Sequence, residues 1–136
     1  MKKLLLGLFI AAPAFAHHST SIDDLSRTVT INGTVRKFEW SNPHVWLWVD
    51  VPAAGGSPAT TWGIESGAPV QLNRNGIKWN SFRAGDQVTV TMHPLRSGKN
   101  GGLFLRAKFA DGHMIAGQDP AALALPPNPA ETAPKP

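Results

Sequence analysis

Five histidines, at positions 17, 18, 44, 93 and 113, are the side chains of this 136-residue chain best suited to chemistry; it has no cysteine. Two of them open the stretch HHSTS directly after Ala14-Phe15-Ala16, a small-x-small cleavage pattern. Cutting after Ala16 would make His17 the first residue of the working protein. An N-terminal histidine brings a primary amine and its own imidazole within one chelate ring. The amine titrates at about 7.7–8 and the imidazole at about 6.5, so a strongly bound cation can displace both protons near neutrality. Nitrogen donors in a plane favour Cu(II), the highest of the divalent ions in the affinity series. One further imidazole would complete a histidine-brace arrangement. His44 and His93 are equal candidates for it. His18 is a third, although its ring competes with a chelate already closed by its neighbour. His113, after the turn Asp111-Gly112, is the weakest, and Met92 falls on the inward phase of its segment, where its thioether serves packing.

The readings without chemistry are equally concrete. A two-histidine start can be whatever follows a cleavage site, His44 can cap a hairpin with its ring on Trp46, and His93 before Pro94 can fix a strand end by bonding to a backbone carbonyl. No Gly-rich phosphate loop follows a strand, no hydrolase serine motif is present and no cysteine nucleophile exists. Asp23-Asp24 and Asp50 can orient a histidine through its second nitrogen. Glu39 and Glu65 are expected to pair with Arg36 or Lys78 at the surface. The sequence therefore reads as a binding protein and not as an enzyme.

These residues must be carried by a compact exported body. Met1-Lys2-Lys3 is a basic start, Leu4 to Ala12 is too short an apolar run to span a bilayer, and residues 1–16 form a signal peptide. The remaining 120 residues carry 11 basic against 9 acidic side chains. So small an excess gives no case for nucleic acid or membrane surfaces. Removal of the signal leaves no membrane-inserted segment, and the expected location is periplasmic or secreted. Without disulfides a hydrophobic core must hold the fold, and five tryptophans help to supply it.

Residues 17–27 read as an N-terminal arm, 28–116 as the folded domain and 117–136 as a flexible Pro/Ala-rich tail. Strands are expected over Thr28 to Trp40, His44 to Val51, Thr60 to Ser66, Gln87 to Leu95 and Leu103 to Phe109. In the first, Val29, Ile31 and Val35 share a face and the phase then slips to Phe38 and Trp40, which calls for a bend or bulge after Gly33. In the second, Val45, Leu47, Val49 and Val51 face inward while His44, Trp46, Trp48 and Asp50 face out. In the last, Leu103, Leu105, Ala107 and Phe109 are expected inside, with Phe104, Arg106 and Lys108 outside. One short helix should run from Pro69 to about Arg74, ended by Asn75-Gly76. Three strands, a short helix and two strands match an all-β, OB-like five-stranded barrel, with an open β-sandwich as the alternative.

The start HHS, the segment GTVRKFEWSNPHVWLWVDV, the stretch GIKWNSFRAGDQVTVTMHPLRSGKNGG and the closing ADGHMI together resemble an uncharacterised family of small exported bacterial proteins, a domain of unknown function. The resemblance implies export and a single-domain body over residues 17 to about 116, and leaves activity, cofactor and partners open. Ser21-Ile22 departs from it where an aromatic is expected.

Two functional expectations result. In the first, the protein binds Cu(II) through His17 with His44 or His93, and His18 as a further donor. In the second, a metal-free module uses Trp46, Trp48 and Trp62, with Arg106 and Lys108, to bind a small ligand or a periplasmic partner protein on the face that OB-type barrels commonly use. Stacking beside basic residues also suits single-stranded nucleic acid, but export argues against that partner.

Overall fold

The computed structural model describes residues 22–126 except Ala54 and Gly56. Within them the chain forms strands β1 (Val29–Glu39), β2 (Trp46–Val51), β3 (Thr60–Glu65), β4 (Gln87–Pro94), β5 (Gly101–Phe109) and β6 (Met114–Ala116), with a short helix α1 (Pro69–Arg74) between β3 and β4. The hydrogen-bonded order is β3-β2-β1-β4-β5-β6, and β3 also pairs with β5 in parallel. That last pairing closes β1 to β5 into a barrel of OB type and rules out the open sandwich. β3 occupies the start of the β5 edge, at Gly101–Leu103, and β6 takes its far half, from Arg106 to Lys108. The sequence pattern did not call for this sixth, outer strand.

The barrel closes because β1 serves both halves of the sheet. Its first residues pair with β4 and its last with β2, and the β1–β2 register slips between Val35 and Lys37. Arg36 is the extra residue, so the phase change expected from the sequence is a bulge. Gly33 sits where the strands cross closely. A Cβ there would lie 2.5 Å from the Asp50 carbonyl oxygen and 2.7 Å from Val49 Cγ1. The interior is filled by Ile31, Val35, Leu47, Val49, Ile64, Val88, Val90 and Met92, with Phe82 and Phe104 closing it. Phe82 packs 5.0 Å from Phe38 and 5.2 Å from Phe109, centroid to centroid. α1 plugs one end with Leu72, which packs with Val45 and Ile77. Pro69 starts this helix, and Gly76, at φ +85°, turns the chain out of it.

The alternation expected for β5 holds from Arg106 onward and is inverted before it. Thr91 faces Arg106 but the next residue, Met92, faces Phe104, so Leu105 is a bulge. Phe104 is consequently buried in the core, while Leu103 and Leu105 are only half-buried.

The chain beyond Gly117 packs back on the barrel. Pro120–Ala124 is a turn of 3-10 helix with the Asp119 carboxylate capping the Ala121 amide at 2.9 Å. The tail expected from the sequence is thus structured as far as Pro126, and residues 127–136 lie outside the described residues. No helix among the described residues is long and apolar enough to cross a membrane.

Candidate functional site

At one end of the barrel, a cleft of about 710 Å³ brings together side chains from five separate segments. His44 enters from the turn before β2, Glu65 and Ser66 from the end of β3, His93 from the end of β4, Asp23 from the N-terminal arm and Asp119 from the C-terminal segment. The half-buried and buried side chains of Leu103 to Leu105, displaced by the β5 bulge, supply its apolar floor. Among the described lining residues there is no lysine or arginine.

Each histidine is oriented through the same ring atom. His44 Nδ1 pairs with Glu65 Oε1, a contact made possible by the register that sets Trp46 opposite Glu65. His93 donates from Nδ1 to the Arg27 carbonyl at 2.7 Å. A ring that donates from Nδ1 carries its lone pair on Nε2 when neutral. The carboxylate–imidazole pair and the carbonyl–imidazole pair are the two arrangements that commonly orient metal-binding histidines. Tautomers here are inferred from the partners, a carbonyl oxygen and a carboxylate, neither of which donates.

The arm is fastened beside His93. The Asp24 amide donates to the Pro94 carbonyl at 2.8 Å, the Arg96 amide donates to the Ile22 carbonyl at 2.8 Å, and Asp23 bridges to Leu95. This buries Asp23 to 5% exposure, with its Oδ1 lacking any hydrogen-bond partner. Burial raises the Asp23 carboxyl above the ordinary carboxylate range, and the nearby Glu65 charge adds to this; His93 and Arg96 partly offset it. Ser66 Oγ is a second buried polar atom without a partner on the same cleft.

The sequence-derived metal candidates divide by position. His44 and His93 line one cleft, whereas His17 and His18 lie outside the described residues. His113 is remote from the cleft, stacked on Phe109 at 4.0 Å and bonded to Asp111. Met92 is fully buried. Among the described residues no three His, Cys, Asp or Glu side chains are grouped to hold a metal ion.

The five candidates for a ligand face do not form one surface. Trp46 and Trp48 stack, centroids 5.7 Å apart, on the outer side of β2, and Trp48 Nε1 donates to Glu39 at 3.1 Å. Trp62 stands opposite Val49 and packs on the core instead. Arg106 does point away from the barrel interior, but the C-terminal segment covers it to 2% exposure. Its guanidinium donates to the carbonyls of Ala122, Leu125 and Pro126 at 3.1, 2.6 and 3.1 Å. Lys108 is exposed on β5, opposite Thr89 and Met114. The carboxylate pairings also differ from expectation. Glu65 serves His44, Glu39 binds Lys37 at 3.2 Å, and Arg36 binds Asp50 at 3.0 Å.

Sequence reasoning offered Asp23 as a group that could orient a histidine, but did not gather Glu65, Ser66 and Asp119 with the histidines. The signal that could have joined Glu65 to His44 is the antiparallel register of β2 and β3, counted back from the Pro52–Pro58 loop.

The class of protein defined so far is a closed five-stranded barrel with a histidine- and carboxylate-lined cleft at one end. The chain belongs to a family of unknown function, DUF6152, whose model matches residues 7–106. That match takes in the double-histidine start and stops within β5. No curated protein and no solved structure matches the chain.

Proposed function

We propose that this is an exported, periplasmic or secreted protein that binds Cu(II), using the amine and ring of a mature N-terminal His17 together with an imidazole of the cleft. The observation that supports the reading is that His44 and His93 both line one cleft, each oriented through Nδ1. Two further facts support it. Ile22 is itself a wall of the cleft. His17 stands five residues before Ile22, a separation of at most about 17 Å when extended. The role read here is binding, for which the cleft offers imidazole nitrogens and carboxylate oxygens as donors.

The test is a Cu(II) titration followed by electron paramagnetic resonance, on protein exported and cut by the cell and on a control with one extra N-terminal glycine. One tight equivalent with a nitrogen-rich axial signal, lost in the control, supports the reading. Equal, weak binding by both proteins refutes it.

The Trp46–Trp48 stack favours a second reading, a metal-free module that takes a small ligand or partner protein on the outer side of β2. Ligand-dependent tryptophan fluorescence changes that survive replacement of His17 and disappear in Trp48→Phe would mark that function.

A further inference from the structure

Gly63 of β3 lies opposite Trp48 of β2, and its missing side chain decides how that indole sits. A Cβ on Gly63 would lie 2.8, 3.2 and 3.3 Å from Trp48 Cζ3, Cη2 and Cε3. These are three consecutive atoms of the six-membered ring, and distances so nearly equal place that point over the ring face and not at its edge. Trp48 therefore lies face-down across the β3 backbone, while on the other side its Nε1 donates to Glu39 of β1 at 3.1 Å. Held at both ends, the indole lies along the sheet, where an outward side chain would otherwise stand upright. Trp46 is within 20° of parallel to it, and a centroid separation of 5.7 Å makes the pair offset and not eclipsed. Both residues are half-buried, so the outer side of β2 presents a flat aromatic shelf.

We propose that this shelf binds an uncharged saccharide chain, which gives a ligand class to the second reading above and rests on it. The rim selects the class. Arg36 is paired with Asp50 at 3.0 Å, Lys37 with Glu39 at 3.2 Å and His44 with Glu65, and the Thr61 hydroxyl donates to Asp50 at 2.7 Å. Each of these cations is matched by a carboxylate, so an anion such as single-stranded nucleic acid gains little here, and a cation finds the carboxylates already engaged. A wholly apolar ligand would strip water from the charged rim and return nothing to it. A pyranose fits both parts. Its C–H face covers an indole, while its edge hydroxyls donate to Glu39 and Asp50 and accept from Lys37 and Arg36, whose side chains are 60% and 62% exposed. Two offset indoles along one strand suit a chain of sugars better than a single one, and the face of strands two and three is where OB-type barrels commonly hold oligosaccharides.

The test is calorimetric titration of protein exported and cut by the cell with uncharged β-linked hexasaccharides of glucose, xylose and N-acetylglucosamine, and with indole acetamide as an uncharged aromatic probe. At least one hexasaccharide should bind and should lower acrylamide quenching of the wild-type tryptophan fluorescence. Trp48→Ala should weaken that binding about ten- to a hundredfold, the range for loss of one stacked ring. Gly63→Ala keeps both indoles but should weaken it about tenfold, because the new Cβ lifts the Trp48 ring off the strand. Both variants should unfold within a few degrees of the wild type, and replacing His17 should leave saccharide binding unchanged. If no hexasaccharide binds while indole acetamide does so in a Trp48-dependent way, the inference is overturned and the second reading stands. If neither binds, the inference and the small-ligand form of that reading fall together. Hexasaccharide binding that leaves the quenching unchanged, or that keeps wild-type strength in Trp48→Ala and Gly63→Ala, places the sugar elsewhere and also overturns the inference.

Discussion

Replacing Arg106 with methionine should detach the C-terminal segment from the barrel. The substitution keeps most of the apolar stem that lies against the sheet and removes the hydrogen bonds to the carbonyls of Ala122, Leu125 and Pro126, among others. Charged hydrogen bonds are each worth about 1.5–3 kcal/mol, but the losses do not add in full. Leu125 and Pro126 are exposed, so their carbonyls can turn to water; Ala122 is buried and its carbonyl cannot. Methionine also relieves the desolvation of a buried cation. The expected net loss is about 2 kcal/mol, or a fall of roughly 8–16 °C in Tm for a domain of this size. Urea unfolding of four proteins makes the assay: wild type, Arg106→Met, a chain ended after Gln118, and the combination. The shortened chain should lose a similar amount, and Arg106→Met should cost under about 0.5 kcal/mol within it, because the partners have gone. Equal costs of Arg106→Met in the full and shortened chains would refute the argument that this residue acts by holding the segment.

Three other perturbations test the barrel and its charges. Gly33→Ala should destabilise by about 1–3 kcal/mol in urea, since its Cβ would press on the Asp50 carbonyl at 2.5 Å, where only backbone movement makes room; a neutral result would show that β1 and β2 part more easily than their register suggests. Leu47→Ala, at 2% exposure in the barrel centre, should cost about 2–5 kcal/mol by the same assay. The asparagine variants of Asp23 and Asp50 should diverge with pH in the ion-free protein. The Asp50 carboxyl is held below its ordinary range by the Thr61 hydroxyl and then by Arg36, so its contribution is present above about pH 4 and fades as pH falls through its lowered folded value; Asp50→Asn should therefore lower Tm more at pH 7 than at pH 2. Asp23 has the opposite sign. Its raised carboxyl costs stability as pH rises from about 4 through its folded value, so Asp23→Asn should gain over wild type at neutral pH and lose that gain in acid.

Strict alternation made β2 legible, with Val45, Leu47 and Val49 buried as its pattern requires. The slip within β1 was legible too, because apolar residues change parity on either side of Arg36. β5 was misread over Leu103 to Leu105 because a run of apolar residues hides a bulge: Leu103-Phe104-Leu105 satisfies either phase, and only the pairing with Met92 selects Phe104 for the core. Arg106 shows a different limit. Its outward direction was correct, yet nothing local in the sequence announces that residues 120–126 return to cover it. In the cleft, the two histidines stood out by type, but that both line it depends on barrel closure, and Glu65 reaches His44 only through cross-strand register. Asp23 stood out only as a group that could orient a histidine, and its burial follows from backbone pairing with Leu95, which has no side-chain signature.

The parallel seam between β3 and β5 has a consequence for how the molecule assembles. It joins Gly63, Ile64 and Glu65 to Gly101, Gly102 and Leu103, three pairs in which three of the six residues are glycines. Side chains contribute little there. β1 to β3 form one meander of neighbouring strands and β4 with β5 one hairpin, and each can pair locally before the long-range β1–β4 and β3–β5 contacts are made. His44 and Glu65 belong to the meander, His93 to the hairpin, and the arm bearing Asp23 docks on the hairpin side. The cleft therefore does not exist in either half and comes into being at the docking step. A ligand that touched both histidines would act as a clasp between the halves, slowing their separation most and leaving the local pairing within each unchanged.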